Sequence, residues 1–574
     1  LTIAANGTLS APRGNLDLEA NLDINCTTVA DQWIHNSGKV RIVGSGSHIS
    51  LYPNNATFFN IDLAKDSGHD VKLKEDITIL GTLDLTGAND YWILDANGAS
   101  GNVTMTMGDA SNQATIDSDG ADKLRFIPHA TREMTIAGHS AIQPCLVEGA
   151  DWMWDYAAAG APVKLAYMNF DPDIVTHSSG SHLAKITLTG DCEFDAVTVS
   201  SGDTLDLNGQ RAEFSGLLSS TGTIACGTNA LVVADSVNTS STTSGNMNLI
   251  ETGDGHTHTL TSSTITNWML NGGTISNSAH GHAADNIIVG AGKLDVGNNL
   301  ASGTPLVNVT TATGAELDGN THTITMSGDF TTSGGLLGAS CFKGAGAHYA
   351  STSQRNDWGF SDTWTIEFWF KTSTDALMYL IDMAESSGNN NRIYLRLRDD
   401  STLKFGTYDS SGTEHGLHVT GIDGDDGKWH HVALTSSGTV KQCYYDGKLQ
   451  AESTTTVDRA ATPTVALFVG TTVDGQTNRY EGNIDELRIW DTVRTPAQIR
   501  SDMFKSGYSN LTSAGDLMAA YDFDEGAGTT AKCLEDASPN TNLNLTLTHT
   551  SAAWADAGTF TYGTSTLVMA KSGT

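Results

Sequence analysis

The sequence predicts an all-β protein in two parts: a repetitive N-terminal region of β-solenoid or tandem β-repeat type, then an aromatic-rich β-sandwich. Three observations point there. The chain holds 60 Gly and only 10 Pro among abundant Thr, Ser, Asn and Asp, the alphabet of short strands joined by tight turns. Short segments with a Gly-x-Leu-Asp-like core recur across the first 335 residues. Beyond about residue 337 aromatics become dense and the alternating runs lengthen. At 574 residues the chain exceeds one ordinary core, so several domains are expected.

The repeat segments read GTLDLTG at 81–87, DTLDLNG at 203–209, GKLDVGN at 292–298 and AELDGN at 315–320, with a related NLDLEANLDI at 15–24. A second element often precedes them, as in ATFFNIDLAKDSG at 56–68 and CEFDAVTVSSG at 192–202. Alternation in these strands places Phe59, Ile61 and Leu63 on one face, and Phe194, Ala196 and Val197 together on another. Such units cannot bury an apolar stripe alone. Stacked, they give a β-solenoid or a ladder of small sandwiches, and the irregular spacing leaves both open. The terminal FTYGTSTLVM at 560–569 reads as the same repeat resuming. The expected division is therefore a repeat region over 1–335, a sandwich inserted at 337–557, and the repeat again over 558–574. Leu1 opens inside a strand-like pattern, so the chain reads as a processed or partial piece of a longer protein.

Composition narrows function. The net charge is −34, from 65 acidic and 31 basic residues. Nucleic acid and anionic membrane surfaces both call for a basic footprint, so neither is expected as a partner. No run of about eighteen apolar residues occurs, so membrane insertion is not expected either. The seven cysteines (Cys26, Cys145, Cys192, Cys226, Cys341, Cys443 and Cys533) contain no C-x-x-C pair and are expected as single buried thiols.

Within 337–557 a series of segments stands in a definite order: TWTIEFWFKTST at 363–374, DGKWHHVALT at 426–435, VKQCYYDGKLQAES at 440–453, VALFVGTT at 465–472, EGNIDELRIWD at 481–491 and YDFDEGAGTTA at 521–531. Asp446-Gly447 suits the tip of a two-residue hairpin. One helix is expected near 495–504, with Pro496 in its first turn. This set resembles the laminin-G-like and pentraxin-like branch of the concanavalin A-like jelly roll, over roughly 200 residues. The resemblance implies two antiparallel sheets packed face to face and a domain that binds glycans or proteins. Alternation agrees with it. Ile366, Phe368 and Phe370 face the core while Thr365, Glu367 and Trp369 face outward. Ile393, Leu395 and Leu397 point in, and so do Leu487 and Ile489, against Arg488 and Trp490.

The outward row Arg392, Tyr394, Arg396 and Arg398 is unusual in so acidic a chain. Guanidinium forks suit carboxylate or sulfate groups and aromatic rings stack on sugars, so an acidic or sulfated glycan is the expected ligand there, against a solvated ion-paired face. Glu367 with Trp369 forms a second candidate surface, against rim packing. The resemblance places a structural calcium ion at Asp485, against a plain strand-edge hydrogen bond. The chain lacks the closely spaced acidic trio of the family's sugar-cleaving members, and consecutive Asp485 and Glu486 are expected on opposite faces. Asp522 and Asp524 share a face but read as a turn, as does the acidic DGDDGK loop at 423–428. His430 and His431 read as packing. The pairs His256/His258 and His280/His282 could each put two imidazoles on one strand face for a transition metal.

The repeats also resemble, in style, those of phage tail fibres and large bacterial surface adhesins. The expectation is a non-catalytic structural and binding protein of a virion appendage, presenting a lectin-like domain to host cell-surface glycans. It would lie at the virion surface or extracellularly, as a homo-oligomer, a trimer by analogy with fibres. The alternatives are a bacterial cell-surface or biofilm adhesin and a polysaccharide-degrading enzyme.

Overall fold

The computed structural model describes residues 1–569 apart from 26–31, 44–47, 64–69, 86–90, 97–98, 118–122, 128, 130, 149–151, 157–161, 172, 179–183, 240–241, 261–264, 281–285, 301–305, 347, 356–357, 359–361, 386–388, 457–458, 460–463, 474–476, 509, 535–542 and 549–553. Two compact units emerge: 1–247 with 259–264, and 248–258 with 265–574.

The first unit is a three-faced β-solenoid. Each coil contributes one short strand to each of three parallel ladders. One ladder runs through Lys39–Ile42, Asn60–Asp62, Thr82–Asp84, Thr115–Asp117 and Cys145–Glu148. A second runs through His48–Tyr52, Asp70–Leu73, Tyr91–Asp95 and Lys123–Ile127. A third runs through Ala56–Phe58, Ile77–Ile79, Val103–Met107, Met134–Gly138 and Val163–Ala166. The offset between coils varies from 19 residues (Lys185 to Thr204) to 33 (Thr82 to Thr115), which is why no single period shows in the sequence. The Leu-Asp segments set the register: Leu83 sits between Ile61 and Ile116, and Leu205 between Ile186 and Ile224, all buried. Phe170, Phe194 and Phe214 stack along one column at 5.2 and 5.3 Å. Two details differ from simple alternation. Phe58, not Phe59, enters the core beside Ile61 and Leu63, and Phe194 and Val197 are buried while Ala196 is not. In both places a coil corner falls inside the segment and resets the period of two.

The second unit begins with further coils. Asn286–Asp295 pairs in parallel with Ile265–His280 on one side and with Asn308–Ala312 and Glu316–Asp318 on the other. A ladder of amides, Asn248, Asn267, Asn286 and Asn308, links successive coils at 2.7, 2.8 and 3.0 Å. Glu316–Asp318 then pairs in parallel with Thr559–Thr561, and Thr323–Met326 with Thr566–Met569. The intervening chain leaves the ladder at Phe330–Gly334, builds a sandwich, and returns.

That sandwich is a concanavalin A-like domain of two antiparallel sheets. The seven-stranded sheet orders Phe342–Gly344, Gly482–Trp490, Thr363–Lys371, Trp429–Ser437, Lys441–Tyr445 and Lys448–Ser453, with Leu517–Tyr521 also on Gly482–Trp490. The eight-stranded sheet orders Glu414–Val419, Leu403–Tyr408, Ile393–Leu397, Met378–Ala384, Ala466–Val469, Ala350–Ser351, Leu545–Leu547 and Thr530–Ala531. Ile366, Phe368, Phe370, Ile393, Leu395, Leu397, Leu487 and Ile489 meet in the core between them. The helix runs Pro496–Asp502, closed by a capping box between Thr495 and Gln498. The sandwich grips its own unit's coils. Asn271 donates to Trp429 O at 2.6 Å and accepts Trp429 N–H at 2.9 Å, and Lys371 Nζ donates to Thr313 O at 3.1 Å. Among the described residues no helix is long and apolar enough to cross a membrane, and no disulfide joins the described cysteines. Cys26 lies outside the described residues.

Candidate functional site

Glu367 and Trp369 do leave the core, as alternation requires, but they do not reach solvent. Both are buried, because the chain after Trp490 folds back over that face of the seven-stranded sheet. Trp369 Nε1 donates to Met503 O at 2.6 Å, and the ring packs on Phe504 and His431. Glu367 accepts Trp490 Nε1–H at 3.2 Å and lies 3.9 Å from both Arg488 and Arg494. Burial pushes its carboxyl above the usual range, against the pull of the two arginines. Arg494 stacks on Trp490 with its guanidinium 3.8 Å from the ring and pairs with Asp502, itself buried. Ile499 of the helix joins Ala433 and Tyr444 in a small apolar cluster. The surface expected at Glu367 and Trp369 is thus an internal layer, sealed by charge pairs and one short helix.

The outer face of the eight-stranded sheet is different. Strand register places Tyr379, Arg396, Lys404 and His418 in one row, and Asp382, Tyr394, Gly406 and Gly416 in the next. Arg392 is held by Asp382 through two parallel bonds of 2.7 and 2.9 Å. Tyr394 corrects one expectation. It is 2 % exposed, because its ring lies flat over Gly406, where a Cβ would fall 2.2 Å from ring carbons. Its hydroxyl donates to Glu414, which also pairs with Lys404. Burial raises the Tyr394 phenol, and the Glu414 bond raises it further. Arg396 sits against both tyrosines, 5.8 Å from the Tyr379 ring and 5.4 Å from Tyr394, and donates to Tyr379 Oη at 3.2 Å. Arg398 reaches Asp400 at 3.3 Å and His418 at 3.4 Å. Arg396, Lys404 and Tyr408 are half-exposed, and Glu414 and His418 are exposed. Sequence reading missed Tyr379, Asp382, Lys404, Tyr408 and Glu414, which join the arginine row only through strand pairing. Alternation in MYLID and LKFGTY carries the signal once the strand order is known.

Asp485 is buried and accepts N–H from Leu336 (2.8 Å), Leu337 (3.4 Å) and Glu486 (3.0 Å). A bulge at Glu486, with φ of 53°, breaks the strict alternation expected there: Asp485 stands in register with Trp369, and Glu486 bonds Arg488 at 2.9 Å. Asp524 accepts Ser340 N–H at 2.9 Å. Among the described residues no three His, Cys, Asp or Glu side chains are grouped as a metal site. Glu486 Oε1, next to Asp485, Glu525 Oε2, next to Asp524, and Ser340 Oγ are buried oxygens with no hydrogen-bond partner, each of the hard type calcium takes. Asp426 of the acidic loop accepts Lys428 N–H at 2.8 Å and pairs with His430 at 3.1 Å, forming a turn. His256 is exposed while His258 is buried, 2.8 Å from Glu251 and stacked on Trp268, so they do not present a two-histidine face. The His282 half of the other pair lies outside the described residues.

Two recesses lie apart from the arginine row. A cleft of about 580 Å³ at the rim of the sandwich is lined by Lys343, Lys371, Thr372, Glu481 and Asn483 among others. A recess of about 210 Å³ between solenoid coils is walled by Asp171, Glu193, Asp195 and Glu213. There Glu193 accepts from Asn169 (3.1 Å), Asp195 from Ser215 (3.0 Å), and Glu213 pairs with Arg211 (2.9 Å).

Residues 344–500 match the family model of the concanavalin A-like lectin/glucanases superfamily. A curated relative, the sushi, von Willebrand factor type A, EGF and pentraxin domain-containing protein 1 of Rattus norvegicus, is 28% identical over 184 residues, 30% of this chain. The match spans only 5% of that relative's length. Among solved structures, a putative carbohydrate binding protein from Bacteroides ovatus is 18% identical, with 37% of this chain and 58% of that chain covered and a TM-score of 0.28. The heptameric SAP-like pentraxin of Limulus polyphemus is 15% identical, with 35% and 96% covered and a TM-score of 0.26.

Proposed function

We propose that this chain is a non-catalytic structural protein whose solenoid coils carry a glycan-binding jelly roll. One observation carries the reading: a sandwich with one outer face sealed keeps, on the other, a half-exposed shelf of arginine, lysine and tyrosine. Sugar recognition draws on that combination, flat rings and charge-assisted donors on a rigid sheet. The matching family description, lectins and glucanases, agrees in kind. The fuller reading is a virion appendage of phage-fibre type that meets host surface glycans, at the virion surface or extracellularly, assembled as a homo-oligomer. A bacterial surface adhesin would use the same shelf. A polysaccharide-degrading enzyme is disfavoured by the recess between the solenoid coils, where three of the four acids already have partners.

We also propose a structural calcium ion at Asp485. The buried carboxylate of Asp485, with that of Glu486 next to it in the chain, would hold it, and it would supply neutralisation of their charge. The test is a glycan panel probed with the full chain, with calcium and with chelator, together with a product assay. Retention of at least one glycan class without release of sugar supports the reading. No binding in either condition, or turnover of a bound polysaccharide, contradicts it. Calorimetric calcium binding that Asp485→Asn removes supports the metal; no heat of binding in the native chain excludes it.

A further inference from the structure

Four cations stand on the shelf, and their partners differ. Arg392 is neutralised by Asp382 at 2.7 Å, Arg398 by Asp400 at 3.3 Å, and Lys404 by Glu414. Arg396 has no ion pair among the described residues. Its nearest carboxylate influence is Glu414, already shared by Lys404 and Tyr394. Its Nε is buried and lacks an acceptor, and its one recorded side-chain bond is to the neutral Tyr379 hydroxyl at 3.2 Å. Partly desolvating a guanidinium without an anion is costly, and the two ring contacts recover only part of that cost.

The arrangement around it is built. Arg392 lies over the same two rings, 5.3 Å from Tyr379 and 5.2 Å from Tyr394, so its lock on Asp382 also fixes the tyrosines. Tyr394 is held flat by Gly406 beneath and Glu414 at its tip. Wedged against both rings, Arg396 has few orientations left, and a planar guanidinium held in place offers its remaining N–H edge as a fork. On the far side of Tyr394, where its N–H donates to Arg392 O at 2.8 Å, Tyr408 is the half-exposed ring, with its centroid 6.2 Å from that of Tyr394.

We infer that Arg396 is the specificity-determining residue of this face and reads an anionic sugar, its guanidinium taking the carboxylate or sulfate while Tyr408 offers a ring to the pyranose. Arg392 is a positioning residue and makes no ligand contact. This inference rests on the glycan-binding reading above and narrows it to one ligand class and one residue.

The test uses the full chain and three sets of immobilised oligosaccharides: uronic-acid or sialic-acid bearing, sulfated, and neutral. The native protein should prefer one or both anionic sets by about tenfold or more, the scale of one charge-assisted bidentate pair. Arg396→Lys keeps the charge but loses the fork, and should erase most of that preference. Lys164→Ala, at an exposed ion pair with Glu133 on the solenoid, should change it less than about threefold. Melting temperatures of the variants separate lost recognition from lost fold. The two anionic sets distinguish carboxylate from sulfate. Binding to neutral sugars alone, or an anionic preference unmoved by Arg396→Lys, overturns the inference and leaves the glycan-binding reading standing. Retention of no glycan overturns both.

Discussion

On the seven-stranded sheet the outward row Thr365, Glu367 and Trp369 lies beneath the chain that carries Arg494, Ile499 and Met503. On the eight-stranded sheet the outward row Tyr379, Arg396 and Lys404 buries the Tyr379 ring but keeps Arg396 and Lys404 half-exposed. Both rows arise from strands that alternate in the same way, and both hold aromatic and charged residues. Their charge pairing differs. Beneath the cover Glu367 has two arginines nearby and Asp502 pairs with Arg494 and Lys505. On the open shelf one guanidinium is left over. A sealed polar layer is closed because unmatched charge there costs stability; an open one can leave a charge for a ligand to match.

The largest expected effect comes from unsealing the covered face. Arg494→Ala removes one of the two cations beside each of Asp502 and Glu367 in a dry layer, together with the guanidinium stacked on Trp490, and should cost about 3–5 kcal/mol in denaturant unfolding. A loss below about 1 kcal/mol would mean that packing, not charge, closes the layer.

Next comes His431, buried against Trp369. Burial first, then Arg488 and Arg494, push its pKa down to about 3. A depressed folded value favours the neutral ring. Its contribution is therefore complete above the unfolded value near 6.5 and is lost as pH falls from there toward 3, by on the order of 4 kcal/mol at most. His431→Phe should flatten the acid limb of a stability-versus-pH curve. An unchanged limb would place the acid sensitivity elsewhere.

A smaller effect is expected at Gly406. Gly406→Ala sets a Cβ 2.2 Å from the Tyr394 ring and must tilt it away. The fold should lose about 1–3 kcal/mol by overpacking, and glycan binding should fall with it. Retained binding would show that the flat Tyr394 is not part of the recognition surface.

The smallest stability change belongs to Arg396→Ala, within about 0.5 kcal/mol of the native chain, as for surface positions generally. A large destabilisation would mean that Arg396 serves the fold rather than a ligand.

Much of this architecture was legible in the sequence. The Leu-Asp segments mark strands whose leucines face the solenoid core, and Ile366, Phe368 and Phe370 fill the sandwich. Alternation reports which residues leave a strand's inner face, but not what lies beyond it. Trp369 bonds Met503, 134 positions later, and no local period carries that information. Phe59 failed for a different reason, since a coil corner falls inside its segment. The arginine row was visible as spacing, yet its differences in pairing come from Asp382, Asp400 and Glu414. Of these Asp382 and Glu414 lie on other strands, so only register could distinguish Arg396 from Arg392.

The most direct test is a crystal structure of the full chain with the tightest-binding glycan from the panel. The account predicts density on the outer face of Ile393–Leu397, with an anionic group within hydrogen-bond distance of Arg396 and a sugar ring against Tyr408. A glycan seated in the rim cleft beside Lys343 and Lys371, or away from the jelly roll, would contradict it.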